Sequence, residues 1–263
     1  MQLMFLSHQV TAVHEAVHGW FGNLVTCAWW DDVWLNEGMT TYYTDLTLLD
    51  IQAWTRQNVR DDINARRYKW LKENWMFALH DETFVEDEWA TNVYARGPAV
   101  LQMFHKAMGE KFETRLFDYL KSNLYKNVNS TTFINALTKN NESVEREMFN
   151  SFIFQYDAPL ISIIYDNDTK AFIISQKPIH SSRNTKWTIP IWYQRTETET
   201  NSEEMRWLRA ADEKLMIPMI EDPENYRFDQ ECIGFAEYII EIGQDIALHC
   251  SSAAEWSEID FDM

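Results

Sequence analysis

Two histidines four positions apart, His14 and His18, have the spacing best suited to chemistry in this chain. On an α-helix, four positions correspond to about 400°, so both imidazoles project from one face on consecutive turns. This spacing lets two ring nitrogens bind one tetrahedral zinc ion at roughly 2.0–2.1 Å each. Glu15 points about 100° away from His14, where its carboxylate can accept a proton from a water molecule at the metal.

The same residues are also compatible with an amphipathic helix whose histidines happen to share a face. A third ligand decides between the two interpretations, because a catalytic zinc ion needs three protein ligands and one open position. Glu37, in the segment Trp-Leu-Asn-Glu-Gly at 34–38, is the candidate, and eighteen residues separate it from His18.

This part of the chain resembles the zinc signature of the aminopeptidase N family, which are gluzincin peptidases with a thermolysin-like catalytic domain. The resemblance is carried by His-Glu-Ala-Val-His-Gly-Trp-Phe-Gly-Asn at 14–23, Leu-Val-Thr at 24–26 and Trp-Trp-Asp-Asp-Val-Trp-Leu-Asn-Glu-Gly at 29–38. It implies that His14, His18 and Glu37 hold one zinc ion per chain and that Glu15 is the general base.

The segment Thr-Asn-Val-Tyr-Ala-Arg-Gly-Pro-Ala-Val-Leu at 91–101 resembles the Tyr-x-Lys-Gly segment of the same family. The resemblance assigns to Tyr94 the hydroxyl that donates to the oxyanion of the tetrahedral intermediate. Arg96 stands at the position of the family's lysine, which keeps the charge but changes its shape. Without that resemblance, Tyr94 would be interpreted as an ordinary core or surface tyrosine.

Hydrophobic periodicity predicts helices that position these residues, at 7–22, 36–57, 59–79 and through 98–157. The third helix carries an i,i+4 charge pair, Asp62 with Arg66. Within 98–157 there are two apolar stripes, one of Val100, Leu101, Phe104 and Met108 and one of Phe112, Leu116, Leu120 and Leu124. The second stripe ends before a polar break at 127–130, which predicts a cap for a helix at 131–139.

We expect Trp29, Trp30 and Trp34 to pack around the site as core. Asp45, two turns beyond Gly38, is either an acceptor that orients a ligand histidine or a solvated helix charge.

After residue 157 the pattern changes to short runs typical of strands, such as 160–165 and 171–176. The predicted fold class is therefore α+β. From the resemblance, we expect residues 1–157 to be the mainly helical C-terminal part of a thermolysin-like domain and 158–230 a small antiparallel β-sandwich. Residues 231–263 are an acidic tail for which the sequence leaves two alternatives, a disordered segment or a helix formed by Ile239, Ile240, Ile242 and Ile246.

The formal net charge of −18 excludes a protein that binds nucleic-acid backbones, and no motif indicates one. No apolar run approaches the length of a transmembrane helix. The three cysteines do not form a disulfide framework, although Cys232 and Cys250 could pair in an oxidising compartment. Cys27 is interpreted as a small buried thiol, because a fourth ligand would close the zinc site.

The resemblance implies a zinc-dependent aminopeptidase that acts on peptides, at the plasma membrane surface or outside the cell, with a cytoplasmic location as the alternative. Family members carry a Gly-x-Met-Glu-Asn loop that binds the substrate's free amine, and this chain contains no such motif. We therefore expect a truncated member. The alternatives are a catalytically weak zinc-binding relative that binds peptides, and an endopeptidase of the wider thermolysin-like group. The sequence does not indicate an oligomeric state.

Overall fold

The computed structural model describes residues 2–51, 55–73, 78–80, 92–139, 143–180, 183–196, 203–220 and 222–250. The chain divides into two compact units, a helical unit of Met1–Asp157 and a β unit of Ala158–Met263. The combination confirms the α+β class, with helices and strands segregated along the chain rather than alternating.

The helical unit contains seven α-helices in its described residues. They are α1 (Gln2–Val17), α2 (Trp34–Asp50), α3 (Arg56–Glu73), α4 (Gly97–Met108), α5 (Glu110–Ser122), α6 (Ser130–Thr138) and α7 (Val144–Ile153). A π-helical turn, Asn92–Arg96, runs directly into α4. Two short strands, β1 (Thr26–Cys27) and β2 (Asn127–Val128), pair in parallel beside them.

The core of the helical unit follows the predicted apolar stripe on α4, where Val100, Leu101, Phe104 and Met108 are all buried. The stripe predicted on the next helix fails at its last member, because α5 ends at Ser122 and Leu124 is 42% exposed. Helix α6 begins where the polar break at 127–130 predicted a cap.

The first helix begins and ends earlier than the predicted range of 7–22. It ends at Val17, where a turn follows in which the amide of Trp20 donates to the carbonyl of Val17 at 3.0 Å. The tryptophan prediction is correct for Trp34, which is fully buried, and wrong for Trp29 and Trp30, which are 68% and 55% exposed.

The β unit contains eight strands among its described residues. They are β3 (Pro159–Asp166), β4 (Ala171–Pro178), β5 (Ile189–Arg195), β6 (Glu204–Leu208), β7 (Leu215–Pro218), β8 (Tyr226–Phe228), β9 (Glu237–Ile242) and β10 (Asp245–His249). One sheet has the order β10-β9-β3-β4-β7 and the other has the order β6-β5-β8.

The strand pairs that the structure describes within 158–230 are antiparallel, as predicted for that range. The structure adds a strand beyond residue 230, because β9 pairs with β3 in parallel, with Ile163 opposite Ile240. Ile239, Ile240, Ile242 and Ile246 lie in strands β9 and β10 rather than in a helix. Between these strands Gly243 has φ of 66°, a conformation that glycine adopts without strain, and the β-branched residues on either side favour a hairpin.

None of the helices in the described ranges is both apolar enough and long enough to cross a bilayer. Residues 251–263, the rest of the predicted acidic tail, lie outside the described residues.

Candidate metal centre and active site

The end of α1 brings the two histidines together. The amide of His18 donates to the carbonyl of His14 at 3.1 Å, so the helical geometry extends to His18 although the helix is assigned to Val17. The two Nε2 atoms lie 3.1 Å apart, with ring planes at 88° to each other. The four-residue spacing therefore has the effect expected of it.

The first turn of α2 supplies the third candidate ligand. The Oε2 atom of Glu37 lies 3.4 Å from the Nε2 atoms of both His14 and His18. Two ligands of a tetrahedral zinc ion, each at about 2.05 Å from the metal, are separated by about 3.3 Å. The three donor atoms thus have the mutual spacing that one zinc ion requires.

The orientation of the His18 ring shows which nitrogen faces the cluster. Its Nδ1 atom lies 2.9 Å from the carbonyl oxygen of Phe21, which only accepts, so Nδ1 carries the proton of this bond. The hydroxyl of Thr40 donates to the same carbonyl at 3.2 Å. Nε2 of His18 is left with a lone pair directed at the other donors, the arrangement of a metal-binding imidazole held by a backbone carbonyl.

A glycine makes this orientation sterically feasible. Gly22 has φ of 120°, and a Cβ atom at this position would lie 3.2 Å from Nδ1 of His18. Two imidazole nitrogens and a carboxylate oxygen, all converging, form a donor set that suits zinc. The residues present therefore fit the metal that the sequence predicts.

Tyr94 lies beside the third ligand. Its hydroxyl donates to Oε2 of Glu37 at 2.7 Å, and its ring centroid is 6.0 Å from that of His14. Burial raises the pKa of Tyr94, and the hydrogen bond to Glu37 raises the pKa further, so the phenol remains a donor. Burial also acts to raise the pKa of Glu37, but the hydrogen bonds from His14 and Tyr94 and the charges of the histidines lower the pKa below its ordinary value.

A close approach of two backbones fixes the distance between Glu37 and Tyr94. Gly38 follows Glu37 on α2, and Gly97 begins α4 directly after the π-helical turn. A Cβ atom on Gly97 would lie 3.0 Å from the Cα atom of Gly38, and one on Gly38 would lie 3.2 Å from the carbonyl oxygen of Val93. The two glycines therefore allow the segments that carry Glu37 and Tyr94 to touch.

Glu15 is exposed to solvent on α1, directly after His14. Its negative charge contributes to the raised pKa of Tyr94, which places the carboxylate within electrostatic reach of the cluster. It is not one of the three converging ligands. This position agrees with a group that serves a reacting water molecule rather than the metal itself.

From the sequence, Arg96 was expected only to keep the charge of the family's lysine; in the structure its side chain is fully buried. The guanidinium donates to the carbonyls of Phe152 at 2.8 Å and Gln155 at 2.6 Å, and it stacks over the Trp70 ring at 4.5 Å. Arg96 therefore links the π-helical turn to the end of α7 through one terminal nitrogen, while the planar guanidinium, which lysine lacks, stacks on the indole.

Asp45 is buried, and its carboxylate accepts from Arg66 at 2.5 Å, so it is not a solvated helix charge. Sequence reasoning missed Arg66 and Thr40 as part of this region. The pairing of Asp62 with Arg66 on α3 was visible in the four-residue spacing and is present at 2.6 Å. The contact of Arg66 with α2 joins residues twenty-one positions apart, for which the sequence contains no local signal.

Cys27 and the other two cysteines lie outside the cluster. Cys27 is half-buried rather than fully buried as predicted, and this burial raises its pKa to about 11. In the β unit, Cys232 and Cys250 form a disulfide. His249 lies beside them, at 4.0 Å from the sulfur of Cys232. Because the two sulfurs are bonded to each other, we assign this group to the disulfide rather than to a metal.

Comparison with known proteins adds independent information. The model of the peptidase family M1 domain matches residues 5–155, which is more than half of the chain. Aminopeptidase N of Haemonchus contortus is 28% identical over 258 residues, covering 82% of this chain and 26% of that protein.

Two further relatives show the same partial coverage. Glutamyl aminopeptidase of Bos taurus is 28% identical, covering 68% of this chain and 20% of that protein. The Tricorn protease-interacting factor F2 of Thermoplasma volcanium is 28% identical, covering 72% of this chain and 25% of that protein. The chain thus spans between a fifth and about a quarter of the length of these three relatives.

Proposed function

The chain belongs to peptidase family M1, and we propose that it carries the zinc-dependent hydrolytic core of an aminopeptidase that releases N-terminal residues from peptides. The observation that carries this proposal is the convergence of three donor atoms, from His14, His18 and Glu37, at separations of 3.1, 3.4 and 3.4 Å. The hydroxyl of Tyr94 at 2.7 Å from Glu37 adds a neutral donor at the same place.

Each residue has a distinct role in this proposal. His14, His18 and Glu37 would hold the zinc ion, which when bound supplies the acidity that activates water and polarises the scissile carbonyl. Glu15 takes the proton from the attacking water and returns it to the leaving amine. Tyr94 donates to the oxygen that becomes negatively charged in the transition state. The cleavage of single residues from a free N-terminus is taken from the family resemblance.

For the architecture, we propose that the helical unit is the C-terminal part of a thermolysin-like domain. The zinc helices and the Tyr94 turn support this assignment, because they occur in the family's order along the chain. The two sheets of the β unit support a small β-sandwich. We also propose a cell-surface or extracellular setting, supported by the disulfide between Cys232 and Cys250, because disulfides persist in oxidising compartments.

Metal analysis of the purified chain tests the central proposal. We expect about one equivalent of zinc per chain, in line with a single three-ligand site. The zinc should be absent from His14→Ala and retained in His180→Ala, which changes an exposed histidine of the β unit. Wild-type protein that takes up no zinc would contradict the proposal.

A pair of substrates separates the remaining alternatives. An aminoacyl arylamide should be hydrolysed, whereas a peptide with a blocked N-terminus should not. Cleavage of the blocked peptide would indicate an endopeptidase. Zinc uptake without cleavage of either substrate would indicate a peptide-binding relative. Free-thiol titration of protein purified from its native source, without reductant, tests the setting, since two additional free thiols would favour the cytoplasm.

A further inference from the structure

Helix α3 contacts both segments that carry the candidate site, through the side chain of Arg66. One terminal nitrogen of its guanidinium donates to Oδ2 of Asp45 on α2 at 2.5 Å. The other donates to the backbone carbonyl of Tyr94 at 3.2 Å. Its charge is also paired with Asp62 on α3 itself, at 2.6 Å.

These contacts connect two groups that must be aligned with each other. Asp45 lies eight residues beyond Glu37 on the same helix, so its position follows that of the candidate ligand rigidly. The carbonyl bonded to Arg66 belongs to Tyr94, whose hydroxyl donates to Glu37. One planar guanidinium therefore spans the helix of the third ligand and the backbone of the oxyanion donor.

The backbone around Tyr94 has a geometry that needs such support. Asn92–Arg96 is a π-helical turn, a form that is rare and occurs mostly as single turns at functional sites. Helix α3 holds this turn at a second point, because the indole of Trp70 donates to Asn92 at 3.0 Å. Arg66 and Trp70 lie four residues apart and thus share one face of α3.

We propose that Arg66 is a positioning residue, which holds Tyr94 in register with Glu37 by bridging Asp45 and the carbonyl of Tyr94. The proposal concerns alignment, since Arg66 contacts Tyr94 at its backbone carbonyl and not at the hydroxyl that would touch the substrate. Its effect on hydrolysis rests on the function proposed above for Tyr94, whereas its effect on the position of the Tyr94 ring does not.

A simpler role for Arg66 would be to neutralise the buried carboxylate of Asp45. The two roles differ in what a compensating change achieves. If Arg66 only balances charge, then adding Asp45→Asn to Arg66→Gln should restore the wild-type properties, because the buried charge is removed and the remaining partner, Asp62, has a side chain that is 41% exposed to water. If Arg66 positions Tyr94, the double variant should remain as impaired as the single one, since the carbonyl of Tyr94 still lacks its donor.

The state of the Tyr94 ring can be measured without any enzymatic assay. In protein carrying ¹³C-labelled tyrosine rings, the NMR signal of Tyr94 is the one lost in Tyr94→Phe. We expect this signal to shift, broaden or split in Arg66→Gln and in the double variant. It should be unchanged in Lys69→Gln, which removes one positive charge from an exposed position of the same helix.

Arg66→Lys provides a second variant should Arg66→Gln fail to fold. Lysine keeps the charge beside Asp45 but is a single point donor, which lacks the fork that bridges two acceptors. The Tyr94 signal should therefore change in Arg66→Lys as well. A Tyr94 signal identical to wild type in the folded Arg66 variants, or its recovery in the double variant, would overturn the proposal.

Kinetics provide the second test. A displacement of about 1 Å can reduce turnover roughly 100-fold, so we expect Arg66→Gln to lower kcat by about 10- to 100-fold. KM and zinc content should be little changed. In a Tyr94→Phe background, Arg66→Gln should lower kcat by no more than about 2-fold, because the effects of two substitutions that act through the same group are not additive.

Equal losses of kcat in the two backgrounds would show that Arg66 acts independently of Tyr94 and would overturn the proposal. A chain with no hydrolytic activity at all would contradict the proposed function instead. In that case the NMR comparison alone decides the role of Arg66, so the two failures are distinguishable.

Discussion

The two units of this chain stabilise their buried polar groups by different means. In the helical unit, buried charges pair between elements that are distant in sequence, such as Asp45 on α2 with Arg66 on α3. In the described part of the β unit, the buried carboxylate of Asp229 accepts from the nearby backbone amides of Ile233 and Gly234, at 3.0 and 2.8 Å. A disulfide then joins Cys232 to Cys250.

This difference in how buried polar groups are paired indicates a different role for them in each unit. Burying charged groups is costly and often adds little net stability, so long-range buried pairs are best explained where they fix geometry. The helical unit has such pairs around Glu37 and Tyr94. In the β unit, the local hydrogen bonds and the covalent link hold a loop and a hairpin. Changes at the residues that fix Glu37 and Tyr94 should therefore affect chemistry, and changes in the β unit should affect only its own stability.

Glu15→Gln should have the largest effect and should separate chemistry from folding most clearly. Loss of a general base typically lowers turnover by about 10²- to 10⁴-fold, and we expect a loss in this range. Because Glu15 is exposed, zinc content and the thermal unfolding temperature should not change. Turnover is measured with an aminoacyl arylamide, and Glu110→Gln, at an exposed position of α5, is the matched control. Full activity in Glu15→Gln would remove Glu15 from the mechanism.

Tyr94→Phe should have the next largest effect. Removal of one donor to a developing oxyanion typically costs about 2.7–4 kcal/mol of transition-state stabilisation, so kcat should fall by about 10²- to 10³-fold. Zinc should be retained, because the hydroxyl of Tyr94 donates to Glu37 and is not one of the three proposed ligands. Tyr125→Phe, at a position that is 84% exposed, is the control. A fall in kcat no larger than in that control would show that the oxyanion is stabilised elsewhere.

Reduction of the disulfide addresses the β unit. Cys232 and Cys250 are 18 positions apart, and a loop of this length contributes about 3 kcal/mol to stability in the chain-entropy description. Cys232→Ser should therefore accelerate hydrogen exchange in β9 and β10. Protection of α1 and α2, and zinc uptake, should stay as in wild type. Loss of protection in the zinc helices would show that the two units are not energetically separate, which would refute the comparison.

Gly97→Ala should destabilise the helical unit by about 1–3 kcal/mol, the usual cost of adding a methyl group to a tightly packed contact. The new Cβ atom would lie 3.0 Å from the Cα atom of Gly38 and would push α4 away from α2. Denaturant unfolding measures the loss, and zinc affinity should fall with it.

Gly243→Ala is the contrasting change in the β unit. No atom lies within 4 Å of the added methyl group, so the cost arises from φ of 66° alone. We expect about 1 kcal/mol of local destabilisation, with zinc affinity unchanged. A change of zinc affinity in Gly243→Ala, or none in Gly97→Ala, would contradict the assignment of the glycine contact to the site.

Sequence reasoning performed best where geometry is local. The spacing of His14 and His18 is a property of any helix, so their convergence could be predicted without a structure. Failures occurred where long-range packing decides the outcome. Trp29 and Trp30 were expected in the core but are exposed, because a residue's type does not determine which face of a loop it occupies.

The same limit explains the isoleucines of β9 and β10. A run such as Ile239–Ile240 fits a buried helix or a strand equally well by hydrophobicity. A strand forms here because Ile163 and its neighbours on β3, about eighty positions earlier in the sequence, pair with β9 in parallel. Arg66 illustrates the point for the site, because its i,i+4 partner Asp62 was predictable and its contacts with Asp45 and Tyr94 were not.

Asp32→Asn should have an effect about as small as that of Gly243→Ala, and its pH dependence tests whether buried charge also stabilises the helical unit. The carboxylate accepts from Nδ1 of His80 at 2.9 Å and from the amide and hydroxyl of Ser130 at 2.9 and 2.6 Å. Burial acts to raise the pKa of Asp32, but these hydrogen bonds outweigh it and hold the pKa below its ordinary value.

A carboxyl group with a lowered pKa in the folded state stabilises the protein above the pKa of the unfolded state, which is about 3.9 for aspartate. That contribution disappears as the pH falls from there through the folded pKa. Asparagine keeps an acceptor oxygen and removes only the charge, so we expect a loss of about 1 kcal/mol at pH 7. The difference from wild type, measured by urea unfolding, should shrink below about pH 4. A difference that stays constant with pH would mean that hydrogen-bond geometry, and not the charge of Asp32, stabilises the start of α6.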